Sequence, residues 1–184
     1  SNEHRIRNEI EIFKSKFRID GYGCETVSGI EEFNLVERPN VILRRFIILI
    51  GGVFPRLRIA FEQIYYRKIA DQLSKENYRF IISHNIDDAL AAIESGVPFI
   101  FHSHEYLPRQ FDGDWLFRFT ETKYRHLALK RIFQKAILTV VEGKKVARKY
   151  SEEYRIPSNR FITMPSMPKY HTFNSTKKNG HAEE

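Results

Sequence analysis

Residues 77–108 (NYRFIISHNIDDALAAIESGVPFIFHSHEYLP) constrain the fold of this chain more than any other segment. Their pattern predicts a strand at 79–83, an amphipathic helix at 87–95 and a second, apolar strand in PFIFHS. Gly96 and Pro98 stand where that helix has to end. Two buried strands joined by one helix form a right-handed βαβ unit, so this segment predicts a parallel sheet.

Polar side chains follow both of these strands. His84 and Asn85 come directly after the first strand, and residues 102–106 (HSHEY) close the second. In open α/β sheets, ligands bind outside the carboxyl ends of the strands. The sequence therefore predicts a functional site where these two polar groups meet.

The rest of the chain repeats this alternation of helix and strand. The pattern predicts helices at 3–17, 58–75, 116–134 and 144–154, and strands at 17–23, 33–36, 136–141 and 161–164. Together they predict an α/β fold over residues 1–173: a Rossmann-like doubly wound parallel sheet flanked by helices. Residues 174–184 (NSTKKNGHAEE) are polar and predict a linker or tail. A doubly wound sheet normally opens with a strand, and none precedes the first helix, so a missing first strand is expected.

The charge balance bears on the partners of the protein. The chain carries 30 basic and 23 acidic residues, a formal net charge of +7, which favours an anionic partner. The cations are spread along helices and are not clustered with stacking aromatic residues, so nucleic acid is not expected as a partner. A single cysteine, Cys24, excludes an internal disulfide and fits a reducing cytoplasm.

Residues 38–68 mix apolar, aromatic and cationic side chains. The apolar run at 46–54 (FIILIGGVF) is well short of the roughly 20 residues that a bilayer-spanning helix needs. One interpretation is a helix packed on the sheet, broken at Gly51 and Gly52, with Pro55 starting the next helix. Another is an interfacial patch on an anionic membrane, since apolar and aromatic residues beside arginine suit the headgroup boundary. The two are compatible if only one face is buried.

The HSHE sequence admits several roles. His102 and His104 point to the same face of a strand and could bind a metal together with Glu105. A structural metal site needs four ligands, however, and His84 is the only further candidate ligand nearby. The pattern favours His104 as a hydrogen-bond donor or electrostatic stabiliser in a cleft, with an ordinary loop histidine as the alternative. Glu105 could act as a general base or merely as a cap.

Four segments, in this order, resemble the family 4-type glycosyltransferases. EHRIRNEIEIF is similar to the first helix of that family, and FIISHNIDDALAA to its strand that carries a His or Asp before a helix. PFIFHSHEYLP resembles the central segment, and AILTVVEGKKVARKYSEEYRIPSNRFITMPSMP the strand–helix–strand that ends near a Pro-Asn turn, here Pro165-Ser166. The resemblance covers most of the chain and is weakest between residues 27 and 67.

This resemblance implies one half of a GT-B fold, the N-terminal, acceptor-side domain of a retaining glycosyltransferase of the hexosyltransferase type. A nucleotide-sugar donor would be the co-substrate, bound mainly by a C-terminal domain absent from this chain, and no metal or other cofactor is implied. The acceptor would be a saccharide or lipid-linked molecule in bacterial surface polysaccharide synthesis (capsule, exopolysaccharide or lipopolysaccharide). Such a protein would be cytoplasmic, peripheral at the inner face of the plasma membrane, and this piece alone is expected not to turn over.

The resemblance also implies a set of site residues. His104 would project toward the transferring sugar, and Glu105 would orient the acceptor or the histidine, so these two are the candidate catalytic residues. The candidate substrate-binding residues are Arg5, His84, Asn85, Tyr106, Arg109, Glu142 and Gly143. Two other functions stay open: a non-enzymatic Rossmann-like module that binds a phosphorylated ligand or partner, and a sugar-nucleotide epimerase on the same scaffold.

Overall fold

The computed structural model describes residues 2–23, 30, 32–36, 40–110 and 113–164, with side chains from residue 6 onward. Pro165, Ser166 and the predicted tail at 174–184 lie outside these residues. The helices are α1 (Asn2–Phe13), α2 (Val41–Val53), α3 (Pro55–Lys75), α4 (Ile86–Ser95), α5 (Trp115–Thr120), α6 (Thr122–Lys135) and α7 (Lys144–Tyr154). The strands are β1 (Asp20–Gly23), β2 (Glu32–Leu35), β3 (Ile81–Ser83), β4 (Phe99–Ser103), β5 (Leu138–Val141) and β6 (Phe161–Thr163).

Four parallel strands form the main sheet, in the order β3-β4-β5-β6. Each strand therefore pairs with the next strand of the chain, and the connections between them contain helices. The strands β1 and β2 form a separate parallel pair. Helices flank the main sheet, and the prediction of an α/β, Rossmann-like fold built on a parallel sheet is confirmed.

The core lies between the main sheet and the helices α4 and α6. Leu90 of α4, Phe101 of β4, and Leu129 and Ile132 of α6 are fully buried there. The helix α4 ends at the residue that the sequence indicates, because Gly96 adopts a left-handed backbone conformation with φ of 73°, which glycine reaches without steric cost. The segment that defined the fold in the sequence thus also supplies the centre of the core.

The boundary between α2 and α3 lies later than predicted. The helix α2 continues through Gly51 and Gly52, and the break falls at Phe54. Pro55 explains that position, because proline lacks an N–H and disfavours a helical conformation in the residue before it. The glycines serve packing instead, since a Cβ atom on Gly51 would collide with the side chain of Arg58. The prediction of a break at the two glycines is wrong.

A buried ion pair lies where the structure has two helices and the sequence predicted one. The residues predicted as one helix at 116–134 form α5 and α6, with Glu121 between them. Arg58 of α3 is only 6% exposed, and its Nη1 donates to Glu121 Oε1 at 2.7 Å. The guanidinium carbon lies 3.7 Å from the ring centroid of Tyr124, and Nε lies 3.6 Å from Glu62 Oε1. A charged contact inside the protein therefore joins α3 to the junction of α5 and α6.

Helix α2 and the N-terminal half of α3 expose many apolar side chains. We call this set the apolar surface; it comprises Val41, Ile42, Leu43, Phe46, Leu49, Val53, Phe54, Leu57, Phe61 and Ile64. On the other side of α2, Ile47 is buried, so only one face of the helix packs on the protein. None of the helices in the described part of the chain combines the length and the apolar character needed to cross a bilayer.

Candidate functional site

Polar residues that follow three neighbouring strands meet at one edge of the main sheet. His84 follows β3, His104 follows β4 and Glu142 follows β5. Because the three strands are parallel and adjacent, their carboxyl ends lie side by side. This is the edge at which ligands bind in open α/β sheets, and it is the edge that the sequence singled out.

Three histidines are packed together at this edge. We call His84, His102 and His104 the histidine cluster. The rings of His84 and His104 stack with their planes 5° apart, and His84 Nδ1 lies 3.3 Å from His104 Nε2. The ring centroids of His102 and His104 are 4.3 Å apart. One ring nitrogen from each histidine lies within 4.8 Å of the other two, so the three side chains can act on a common point.

A carboxylate from the N-terminal helix binds two of these histidines. Glu9 of α1 is buried; its Oε1 is hydrogen-bonded to His102 Nδ1, and its Oε2 lies 3.3 Å from His84 Nε2. Burial alone would raise the pKa of Glu9, but the hydrogen bonds and charges of the two histidines outweigh it and lower the pKa to about 2. Glu9 is therefore ionised at neutral pH and fixes the orientation of both rings.

Sequence reasoning did not find Glu9, although a signal was present. Ile6, Glu9 and Phe13 are spaced at i, i+3 and i+7, so an α-helix places them on one stripe. A carboxylate within an apolar stripe is rarely buried without a partner. The partner could not be read from the sequence, because His102 lies 93 residues further along the chain.

A second carboxylate faces the remaining histidine. Glu142 Oε1 lies 3.9 Å from His104 Nδ1. His104 is buried, with only 9% of its surface exposed, while Glu142 is half-buried at the end of β5. The acid that faces His104 across the strand ends is therefore Glu142. Both sides of the histidine cluster thus carry a carboxylate, Glu9 on one and Glu142 on the other.

The other predicted site residues lie around the cluster, outside its immediate contacts. Glu105 is exposed, and Asn85 is exposed at the start of α4, where it donates to Asp88 Oδ2 at 3.0 Å. Arg109 is also exposed, at the end of a 3-10 turn. Gly143 precedes α7, and a Cβ atom added there would meet no other atom within 4 Å.

The structure describes the side chain of Tyr106, a further predicted site residue, but not that of Arg5. Tyr106 is half-buried; its hydroxyl donates to Glu153, and Lys149 lies 4.0 Å from its ring centroid. Tyr106 is thereby attached to α7 and forms one wall beside the strand ends. Arg5 belongs to α1, but its side chain is not among the described ones.

Tyr150 holds the segment that follows β4 in place. Its side chain is fully buried, and its hydroxyl donates to the Glu105 carbonyl at 2.9 Å and accepts from the Leu107 N–H at 3.0 Å. Ser103 Oγ lies 3.0 Å from the same hydroxyl. Burial raises the pKa of Tyr150 to about 12, so the hydroxyl keeps its proton and both roles. The backbone on either side of Tyr106, directly after His104, is thus fixed from α7.

A separate cleft of about 200 Å³ lies at the start of β1, away from the histidine cluster. Arg18, Asp20 and Glu32 line it, and Arg18 already pairs with both acids, its Nε lying 3.2 Å from Asp20 Oδ1. The Arg18 guanidinium is therefore engaged within the protein, Lys75 also lines the cleft, and none of the predicted site residues does. The strand-end edge therefore remains the candidate functional site.

This site combines imidazole rings, a buried carboxylate and an open backbone position at Gly143. Imidazole can donate and accept protons near neutral pH, and clustered donors at a strand-end edge can stabilise developing negative charge.

A scan against protein-family models found no match for this chain, and no curated protein matched it either.

Proposed function

We propose that this chain is the acceptor-side domain of a sugar-nucleotide-dependent retaining glycosyltransferase in bacterial surface polysaccharide synthesis. The observation that carries the proposal is the meeting of His84, His104 and Glu142 at the carboxyl ends of β3, β4 and β5. The order of the four resembling segments in the sequence supports the same conclusion. The donor-binding domain and the nucleotide sugar would complete the site from the other side of a cleft.

In this proposal, His104 acts on the reacting sugar. Its ring is held by stacking on His84 and faces Glu142, so it is oriented before any ligand arrives. An oriented donor stabilises charge that develops in a transition state better than water does. Glu105, which is exposed beside it, would contact the acceptor, and the open space at Gly143 would admit a sugar ring.

Replacing His104 with alanine should slow cleavage of the donor. We expect the protein that carries both domains to hydrolyse one sugar nucleotide slowly, and the variant to lose at least about tenfold, roughly 1.4 kcal/mol of transition-state stabilisation. The measurement is the release of free sugar from a panel of UDP-, GDP- and ADP-sugars. His126→Ala is the matched control, because His126 lies outside the histidine cluster and its Nδ1 bonds to the hydroxyl of Tyr154.

Each result of that experiment separates the candidate functions. Cleavage of no donor would argue for the binding module, as would a reading frame that stops near residue 184. Conversion of the sugar nucleotide into an isomer, without free sugar, would identify an epimerase. Equal activity in the wild type and in His104→Ala would keep the glycosyltransferase and remove His104 from its site.

We also propose that the apolar surface contacts an anionic membrane, where lipid-linked acceptors reside. Phe46 and Leu49 are both more than half exposed, and the cations Arg44, Arg45 and Arg56 lie among the apolar residues. This combination suits the headgroup boundary of a cytoplasmic leaflet. The apolar surface shares no residue with the histidine cluster.

Charged substitutions in the apolar surface should weaken vesicle binding. We expect the wild type to sediment with phosphatidylserine-containing vesicles at low salt, and Phe46→Asp/Leu49→Asp to bind at least about tenfold more weakly, because burying one large apolar side chain contributes about 1.5–3 kcal/mol. Ile12→Asp is the control, since Ile12 is exposed on α1. A wild type that binds no anionic vesicle at low salt would refute this contact.

A further inference from the structure

We propose that the histidine cluster binds one divalent transition-metal ion, of which zinc is the reference, with His84, His102 and His104 as its ligands. Glu9 and Glu142 would act as outer carboxylates that orient the ligand rings. This inference does not rest on the proposed glycosyl transfer. It concerns only which atoms of this chain converge, and it can be tested without any sugar nucleotide.

The distances between the ring nitrogens fit a single ion. Zinc binds histidine nitrogen at about 2.0–2.1 Å in a tetrahedral arrangement, which sets two of its ligand atoms roughly 3.3–3.4 Å apart. His84 Nδ1 and His104 Nε2 are 3.3 Å apart. One ring nitrogen from each of the three histidines lies within 4.8 Å of the other two, so small rotations of the rings would bring all three to a single ion.

The two carboxylates lie beside the ring nitrogens that the proposed ion would not use. Glu9 takes Nε2 of His84 and Nδ1 of His102, and the nitrogens left to these rings are His84 Nδ1 and His102 Nε2. Glu142 faces Nδ1 of His104, which leaves His104 Nε2. Histidines that bind metals usually donate their second N–H to a carboxylate or carbonyl, and this partner fixes the tautomer. His102 and His84 show this arrangement with Glu9, and His104 Nδ1 faces Glu142 Oε1 at 3.9 Å, beyond the length of a hydrogen bond.

The ligand type and the location decide which ions fit. Imidazole nitrogens suit zinc, cobalt, nickel or copper, whereas magnesium and calcium prefer oxygen ligands. Three protein ligands leave a fourth position, as in catalytic zinc sites, where water or a substrate binds. The histidine cluster itself lies at the carboxyl ends of β3 and β4, the edge where ligands bind in an open α/β sheet. Because the proposed glycosyl transfer needs no metal, an ion held here would compete with the role of His104.

Metal titration of this chain tests the inference directly. In isothermal titration with Zn²⁺ in a non-chelating buffer, the wild type should bind one equivalent, Co²⁺ should bind in the same way, and Mg²⁺ should not bind. His104→Gln should weaken the affinity for Zn²⁺ by at least about 100-fold, and Glu9→Gln by about 10–100-fold, the range measured for outer carboxylates. His126→Gln should bind as the wild type does.

Several outcomes would overturn the metal site. The absence of stoichiometric Zn²⁺ binding by the wild type would do so, as would binding that His84→Asn and His104→Gln leave unchanged. His84 is the most exposed of the three rings, with 17% of its side chain accessible, so His84→Asn gives a second variant that is expected to fold. Circular dichroism of each variant before the titration separates a lost ligand from a lost fold. Donor hydrolysis takes no part in these measurements, so either proposal can fail alone.

Discussion

Replacing Arg58 with methionine is expected to lower the free energy of unfolding by about 3 kcal/mol, at the lower end of the range for a broken buried ion pair. The substitution keeps the length of the side chain but leaves Glu121 and Glu62 buried without their cation. Arg125 still lies 3.4 Å from Glu121 Oε2, and this contact moderates the loss. Urea denaturation of the wild type and the variant measures the difference, provided that the free energy of unfolding falls with urea concentration at the same slope (m value) in both.

The pH should change the size of this effect. Burial, with a contribution from Asp87, raises the pKa of Glu62 from 4.5 to about 7. The charged form of Glu62 is therefore destabilising in the folded state. This cost in the free energy of unfolding grows as the pH rises from the ordinary pKa of a glutamate toward the raised pKa of Glu62. Without Arg58 the cost is larger, so we expect the variant to lose more stability near pH 8 than near pH 5.

Arg131→Met is the matched control for Arg58→Met. Arg131 pairs with Glu94 at 3.2 Å, but both side chains are more than a third exposed, and such surface pairs contribute about 0–1 kcal/mol. The double variant Arg58→Met/Glu121→Gln should recover part of the loss, because one uncompensated carboxylate is removed. If Arg58→Met costs no more than Arg131→Met, the ion pair does not hold the junction of α5 and α6 in place.

Replacing Tyr150 with alanine should have an effect of similar or greater size, about 3–5 kcal/mol. The ring is fully buried, with the ring centroids of Phe133 and Tyr106 4.9 and 5.0 Å away, so its removal leaves a cavity in the core. Its hydroxyl also binds the backbone of Glu105 and Leu107. We therefore expect the truncation to loosen the segment after β4 as well as to destabilise the fold.

Tyr150→Phe separates these two effects. It keeps the packing but leaves the Leu107 N–H without its acceptor, which should cost about 1–3 kcal/mol. In the same aromatic cluster, Tyr154→Phe removes a hydroxyl whose partner is the half-buried His126, and it should cost about 0.5 kcal/mol or less. Chemical denaturation of the three variants tests the expected order of destabilisation, in which Tyr150→Ala costs the most, Tyr150→Phe less and Tyr154→Phe the least. A Tyr150→Phe variant as stable as Tyr154→Phe would contradict the anchoring role of the hydroxyl.

The sequence predicted the fold from signals that are local in the chain. The strands around α4, the helix end at Gly96 and the parallel order of the sheet depend on apolar spacing and turn residues within about 30 positions. The boundaries are less accurate for a physical reason: α1 ends at Phe13 and not at residue 17. Phe17 still packs with Phe13 and Phe80, so its apolar character reports tertiary packing beyond the helix end.

The sequence predicted the place of the candidate site but not the hydrogen bonds and ion pairs that orient its side chains. Because parallel strands end at one edge, His84 and His104 were placed together from the strand pattern, while Glu142 was expected beside them from the family resemblance. The contact of Glu9 with His102 could not be predicted, nor, outside the site, that of Arg58 with Glu121, since the partners in each pair are more than 60 residues apart. Such contacts arise only when the helices dock, and neither a propensity nor a spacing in the chain specifies them.

The carboxylate that orients two of the three histidines is carried by a helix with few anchors. Besides Glu9, α1 contributes a buried Ile10, and Phe13 meets Phe80 with ring centroids 6.4 Å apart. Among the described side chains of α1, at residues 6–13, two are buried. Proteins open in parts, and a helix with few buried side chains can detach at a lower free energy than the global unfolding of the sheet requires. Detachment of α1 would release both rings from their hydrogen bonds while the sheet stays intact. The orientation of His84 and His102 therefore depends on the docking of α1 as well as on the stability of the sheet.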